Sequence, residues 1–211
     1  MTPRDEIGLS HWRRATGAVV LASALGAAPG SAQGPRSQFA LAVGRTIPSG
    51  AFRADGSGEG FDAGWTATAR LTVRGLRPRL GLRFDARFSS NGANDQLKAD
   101  LTTALGQPSD ETVTLVGANA ALTYALAPTW RVTPSVFGGL GLWYVLLGVT
   151  SGTGSTHTSA IKPAWHLGGE LSYRALFLDV AYVSVATVAR LHRSTFLPMT
   201  LGYRFAAGSP T

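Results

Sequence analysis

The feature that most constrains this chain is strict two-residue alternation from Trp65 to Phe88, interrupted once by a short connection carrying arginine and proline. Trp65, Ala67, Ala69, Leu71 and Val73 share one parity, and Thr66, Thr68, Arg70 and Thr72 share the other. After Arg74-Gly75-Leu76-Arg77-Pro78, the residues Leu80, Leu82, Phe84, Ala86 and Phe88 alternate with Gly81, Arg83, Asp85, Arg87 and Ser89. Period two places the two sets on opposite faces of a strand. The connection is short enough for an antiparallel hairpin. One face is apolar and the other carries guanidinium groups and a carboxylate. A soluble sandwich accommodates this with its apolar face inward, and a membrane barrel does so with that face on lipid and the charges in its lumen.

The rest of the chain favours the barrel. Alternating runs recur at residues 38–47, 113–126, 132–149, 164–173, 176–186 and 195–205, which with the hairpin makes eight strands of about ten residues. The connections are expected to be long after strands one, three and five (residues 48–60, 91–111 and 151–162), moderate after seven, and short after two, four and six. Such segregation by end belongs to outer-membrane barrels and has no purpose in a sandwich. Within the second long connection, Asp95 to Leu105 has the pattern of a short amphipathic helix. Trp65, Phe88, Tyr124, Trp165, Tyr173, Tyr203 and Phe205 fall near strand ends on the apolar parity, where interfacial girdles lie. The glycines from Gly138 to Gly141 suggest bending or close backbone approach in a tightly curved barrel. No apolar run reaches the roughly 20 residues of a transmembrane helix, so any span must be β.

Residues 1–32 read as a secretory signal. Arg13-Arg14 supply the basic region, residues 15–28 the apolar region, and Gly30-Ser31-Ala32 the cleavage site before Gln33. The residues after the arginine pair favour general secretion over the twin-arginine route. The barrel domain is then 33–211, its strands within 38–205, followed by a short tail at 206–211. Cysteine is absent, which excludes a disulfide framework, thiolate metal sites and a lipidated N-terminal cysteine. The net charge of +7 raises the question of nucleic acid, but the arginines are spread singly along strands and at turns, without the contiguous basic face such binding needs.

From residue 38 to 205 the chain resembles the small eight-stranded outer-membrane β-barrels of Gram-negative bacteria, the OmpA-like and OmpX-like group. The resemblance rests on the signal, the loop asymmetry, the Gly-rich run VFGGLGLWY and the terminal LGYRF. It implies an all-β, antiparallel, up-and-down barrel in the outer membrane, bathed in lipid and lipopolysaccharide and inserted by the barrel-assembly machinery. The family's assembly signal ends in a C-terminal aromatic, whereas here residues 206–211 extend past Phe205. Such barrels share a fold and differ in role, so the resemblance speaks to location more than to activity.

By parity the lumen receives Arg70, Arg83, Asp85, Arg87, Glu170, Arg174, Asp179 and Arg204. Buried ions are tolerated only when paired. An ion-pair network is therefore expected in which Asp85, Glu170 and Asp179 are bridged by Arg70, Arg83 and Arg204. It would act as a polar plug in preference to a gate or narrow anion path, because eight strands enclose little free space. Some barrels of this size modify lipid A through a His-x-Ser pair, and His157-Thr158-Ser159 has that spacing. Its place in a Gly/Ser/Thr stretch reads as a loop, which argues against a nucleophile. His166 and Glu170 share a face but lie about 13 Å apart along a strand, too far for a dyad. No metal or cofactor constellation stands out, and no catalytic residue is assigned. The arginines at the short turns (Arg74, Arg77, Arg79, Arg131 and Arg174) suit neutralisation of anionic lipid. The expectation is thus a non-catalytic outer-membrane barrel with a structural or recognition role, contacting extracellular ligands through loops 48–60, 91–111 and 151–162. A small pore or transporter and a lipid A-modifying enzyme are the alternatives.

Overall fold

The computed structural model describes residues 36–50, 60–77, 79–186 and 194–205. Eight strands, β1 (Arg36–Gly50), β2 (Gly64–Arg77), β3 (Leu80–Gly92), β4 (Ser109–Ala125), β5 (Val132–Ser151), β6 (Gly154–Tyr173), β7 (Leu176–Val185) and β8 (Ser194–Phe205), pair antiparallel in sequence order. β1 also pairs with β8, which closes the sheet into an up-and-down barrel. The expected signal at residues 1–32, the tail at 206–211 and most of the loop at 48–60 fall outside the described residues.

Three connections lie at the end that carries Arg36 and Phe205, and all are tight. Arg79, with φ 74°, leads into β3. Residues 126–131 join β4 to β5, and Arg174-Ala175 joins β6 to β7 with Arg174 at φ 52°. That left-handed turn lifts Arg174 out of the expected lumen. It is exposed, its guanidinium 5.3 Å from the Tyr173 ring centroid.

At the opposite, distal end the expected loops need correction. β1 runs on through Pro48 to Gly50, while Asn91 and residues 109–111 belong to strands, so the connection around the helix is 93–108. The helix, α1, spans Asp95–Leu105 as its pattern suggested. Asn94 Oδ1 accepts from the Leu97 amide at 2.9 Å, and Gly106 ends the helix in the left-handed region at φ 67°. The larger correction is at 151–162, which is no loop. β5 and β6 continue as a paired ribbon to Ser151↔Gly154 and turn through Gly152-Thr153 alone. Ser and Thr read as loop formers when counted, yet alternating β-branched threonines also suit an exposed strand, and here they continue the register set by Val145 to Thr150. β6 meets β7 only from Ala164 onward, so this ribbon stands beyond the end of β7.

The barrel is inside-out relative to a soluble domain. Outward positions are apolar and bare, with Leu140 71% and Val43 67% exposed, whereas Arg70 is 2% and Asp179 0% exposed. Register gathers the outer aromatics at two levels. Phe39, Tyr124, Tyr173, Tyr203 and Phe205 lie toward the terminal end, and Trp65, Phe88, Tyr144, Trp165 and Tyr182 toward the distal end. Within these rings Phe39 stacks on Phe205 at 5.9 Å, Trp65 meets Phe88 at 4.8 Å and Trp165 meets Tyr182 at 5.4 Å between centroids.

The interior is divided, which the expectation of a polar lumen did not contain. Its terminal half is charged. Its distal half is an apolar core in which Val113, Leu115, Trp143, Val145, Val183, Val185 and Phe196 pack together with Phe61, and Leu97 of α1 packs against them.

Candidate functional site

The charged half of the lumen is built by five strands. β2 and β3 present Arg70, Arg83, Asp85 and Arg87 from one wall, and β6, β7 and β8 present Glu170, Asp179 and Arg204 from the other. Register sets the problem these residues solve. Glu170 lies directly opposite Asp179 on the neighbouring strand, an arrangement that is repulsive by itself. Arg70, opposite Asp85 in its own hairpin, reaches across the lumen to relieve it. Its Nε donates to Asp85 Oδ1 at 2.8 Å, its Nη1 to Glu170 Oε2, and its Nη2 to Asp179 Oδ2 at 3.1 Å. Arg83 donates to Asp85 at 2.7 Å and to Asp179 at 2.7 Å, and Arg204 Nη2 donates to Glu170 Oε1.

All six residues singled out in the sequence thus lie in one connected cluster. Arg87, assigned to the lumen but not to the bridging set, joins it through Asp179 at 3.4 Å and also donates to Thr68 Oγ1 at 3.1 Å.

Sequence reasoning missed the aromatic partners of this cluster. The Arg83 guanidinium lies 3.7 Å from the centroid of Phe137, and that of Arg70 lies 4.6 Å from Phe177. A ring face gives a desolvated cation a favourable contact where water cannot reach. Phe137, Phe177 and, in the apolar half, Trp143 each stand directly across from a glycine on the adjoining strand: Phe137↔Gly168, Phe177↔Gly202 and Gly117↔Trp143. A Cβ on any of these three glycines would come within 2.3 Å of the facing ring. A narrow barrel makes room for bulky inward rings by leaving out the opposing side chain. The usable signal was parity, since Phe137 and Trp143 share the inward face with Gly139 and Gly141. Trp143 Nε1 donates to Asn119 Oδ1 at 2.9 Å, which satisfies the indole at the boundary between the halves. His166 lies at the same boundary, 5.9 Å from the Phe137 ring, and neither of its ring nitrogens has a hydrogen-bond partner among the described residues.

His157 and Ser159 lie on the projecting part of β6, on the parity of the outward-facing Ile161 and Trp165. They therefore sit on a strand and not, as expected, in a loop. Both are exposed, and neither side chain makes a hydrogen bond among the described residues. No group of three or more His, Cys, Asp or Glu that could hold a metal occurs among the described residues.

Closed eight-stranded topology, an apolar outer surface and a charged terminal half of the lumen are together the architecture of the eight-stranded outer-membrane barrels. Among solved structures, the chain is similar to Ail, the attachment invasion locus protein of Yersinia pestis. The two are 13% identical over 82% of this chain and 99% of that one, with a TM-score of 0.52. It is similar to a major outer membrane protein of Thermus thermophilus, at 14% identity over 80% and 99% of the two chains and a TM-score of 0.54. It is also similar to Neisserial surface protein A, at 16% identity over 81% and 96% and a TM-score of 0.50. No known family profile matches this sequence, and no curated protein matches it.

Proposed function

We propose that this chain is a non-catalytic outer-membrane protein, exported with loss of residues 1–32, whose barrel domain 33–211 serves a structural or recognition role at the cell surface. The observation that carries this reading is the reversal of burial. A water-soluble barrel with Leu140, Val43, Leu201 and Leu142 bare on its surface would aggregate. In lipid the same surface is the stabilising one, framed by two aromatic levels where headgroups would lie. Lipid and lipopolysaccharide are then the standing partners, and the barrel-assembly machinery the transient one.

The interior supports a plug over a pore. Guanidinium–carboxylate contacts span the terminal half, and Trp143, Phe196 and Leu115 fill the distal half. The recognition elements are the distal ones, namely α1 and the β5–β6 ribbon with its exposed Thr156, His157 and Thr158. Electrophoresis of the extracted protein tests the barrel. Boiled and unboiled samples are expected to migrate differently in SDS, and a single unshifted species in the soluble fraction would refute it. Planar-bilayer recordings test the plug, with no unitary conductance expected. Steady ion-selective steps would instead establish the pore reading.

A further inference from the structure

The arginines of the short turns do not simply face outward. Arg74, Arg77 and Arg79 line a cavity of about 170 Å³ that opens at the terminal mouth of the barrel, and Arg83 forms part of its wall. None of the three mouth arginines makes an ion pair among the described residues. The one acid in the wall, Glu170, is already engaged, since its two oxygens accept from Arg70 and Arg204. Among the described residues, no carboxylate is left to compensate the charge of the mouth.

Arg83 closes the inner end of the cavity: it is 3% exposed, its Nε and Nη1 donate to Asp85 and Asp179, and its guanidinium lies against the Phe137 ring. Thr72, Thr123 and Ser135 add hydroxyl groups to the wall. A neighbouring cavity of about 330 Å³ shares Arg74 and adds Arg131, Arg174 and Arg204.

We propose that the terminal mouth of the barrel is a blind binding cup for small phosphate-bearing anions, gripped by Arg74, Arg77 and Arg79 and backed by the positive charge of Arg83 in its wall. Several guanidinium forks converging on one space suit the several oxygens of a phosphate or diphosphate better than the two of a single carboxylate. The plug behind Arg83 makes the cup an endpoint, not the entrance to a path. The phosphate comes either from a soluble oligophosphate or from the headgroup of a neighbouring lipid. This inference concerns the end opposite the recognition elements, and a heat-dependent gel shift reports on the barrel independently of the cup.

The test is calorimetric titration of the folded protein in zwitterionic detergent with pyrophosphate. One saturable site is expected, weakened at least tenfold in R74Q/R77Q and unchanged in K98Q at the distal end. No saturable binding, or equal affinity in R74Q/R77Q, overturns the proposal. If the double variant loses the gel shift, phenylglyoxal labelling of the wild type carries the test. Protection of Arg74 and Arg77 by pyrophosphate supports the cup, and equal labelling with and without it refutes the cup. In nanodiscs, pyrophosphate binding competed by phosphatidylglycerol but not by phosphatidylcholine assigns the cup to a lipid headgroup, and equal binding in both assigns it to a soluble anion.

Discussion

Asp179 is the residue on which the lumenal cluster can be tested most sharply. It is fully buried and accepts from Arg83 at 2.7 Å, Arg70 at 3.1 Å and Arg87 at 3.4 Å. Four guanidinium groups (Arg70, Arg83, Arg87 and Arg204) meet three carboxylates (Asp85, Glu170 and Asp179). D179N leaves four facing two and turns one acceptor into an amide donor aimed at a guanidinium. Removing one partner of a buried ion pair costs about 3–5 kcal/mol, because the remaining charge stays desolvated and unmatched. With a urea slope of about 2 kcal/mol per M, that loss lowers the unfolding midpoint by roughly 1.5–2.5 M. The assay is equilibrium unfolding in detergent, followed by tryptophan fluorescence and by the fraction that keeps the gel shift.

Adding R87M to D179N restores the balance to three guanidinium groups against two carboxylates. The double variant is expected to regain about 1–3 kcal/mol of the loss, the range of coupling between residues in one network. A loss under about 1 kcal/mol in D179N, or a double variant no more stable than D179N, would refute the view that charge matching holds this half of the barrel together.

Other perturbations follow from the same structure. At Gly139 a Cβ would lie 2.0 Å from the Ala120 carbonyl oxygen, whereas at Gly138 its nearest neighbour is a Leu167 methyl at 3.4 Å. G139A should therefore lose about 1–3 kcal/mol in urea unfolding while G138A stays within about 0.5 kcal/mol. The two ring nitrogens of His166 are buried without partners among the described residues, so H166F is expected to match or exceed the wild type by up to about 1 kcal/mol, and a clear loss would reveal a partner for the imidazole. Lys98 and Asp110 stand 3.9 Å apart and are exposed, so K98Q should change the midpoint by no more than about 0.5 kcal/mol equivalent.

The barrel was legible because period-two alternation survives in every strand, and α1 because Asn94 and Gly106 mark both its ends. The β5–β6 ribbon was not. Composition cannot distinguish a solvated loop from a strand that is exposed on both faces, and only the continued pairing of Thr150 with Ser155 and Val149 with Thr156 does so. Within the lumen, parity placed Arg70, Arg83, Asp85, Glu170, Asp179 and Arg204 on one face, but parity carries no register. It could not show Glu170 facing Asp179 across neighbouring strands, nor Arg87 sharing the same carboxylate. Arg174 obeyed parity in sequence and escaped it in space, because the turn begins at that residue. The apolar distal half was readable in principle from Trp143 and Val145 on the inward parity. The sequence pattern around them drew attention to the glycines instead.

The seam between β1 and β8 sets this chain's route to its final shape. Every other ladder joins strands that follow one another along the chain, whereas this one pairs Phe39 with Phe205 and Gly50 with Ser194. Joining segments roughly 150 residues apart carries a loop-closure entropy of about 4 kcal/mol beyond the constant term, and a hairpin of a few residues far less. Local hairpins therefore zip early, and closure waits until both ends of the sheet have curled toward each other. Until then the growing sheet has two raw edges, each able to pair with another chain. A chain stopped before Ser194 never leaves that condition: it keeps seven strands in order, and its first strand finds no partner to end the sheet.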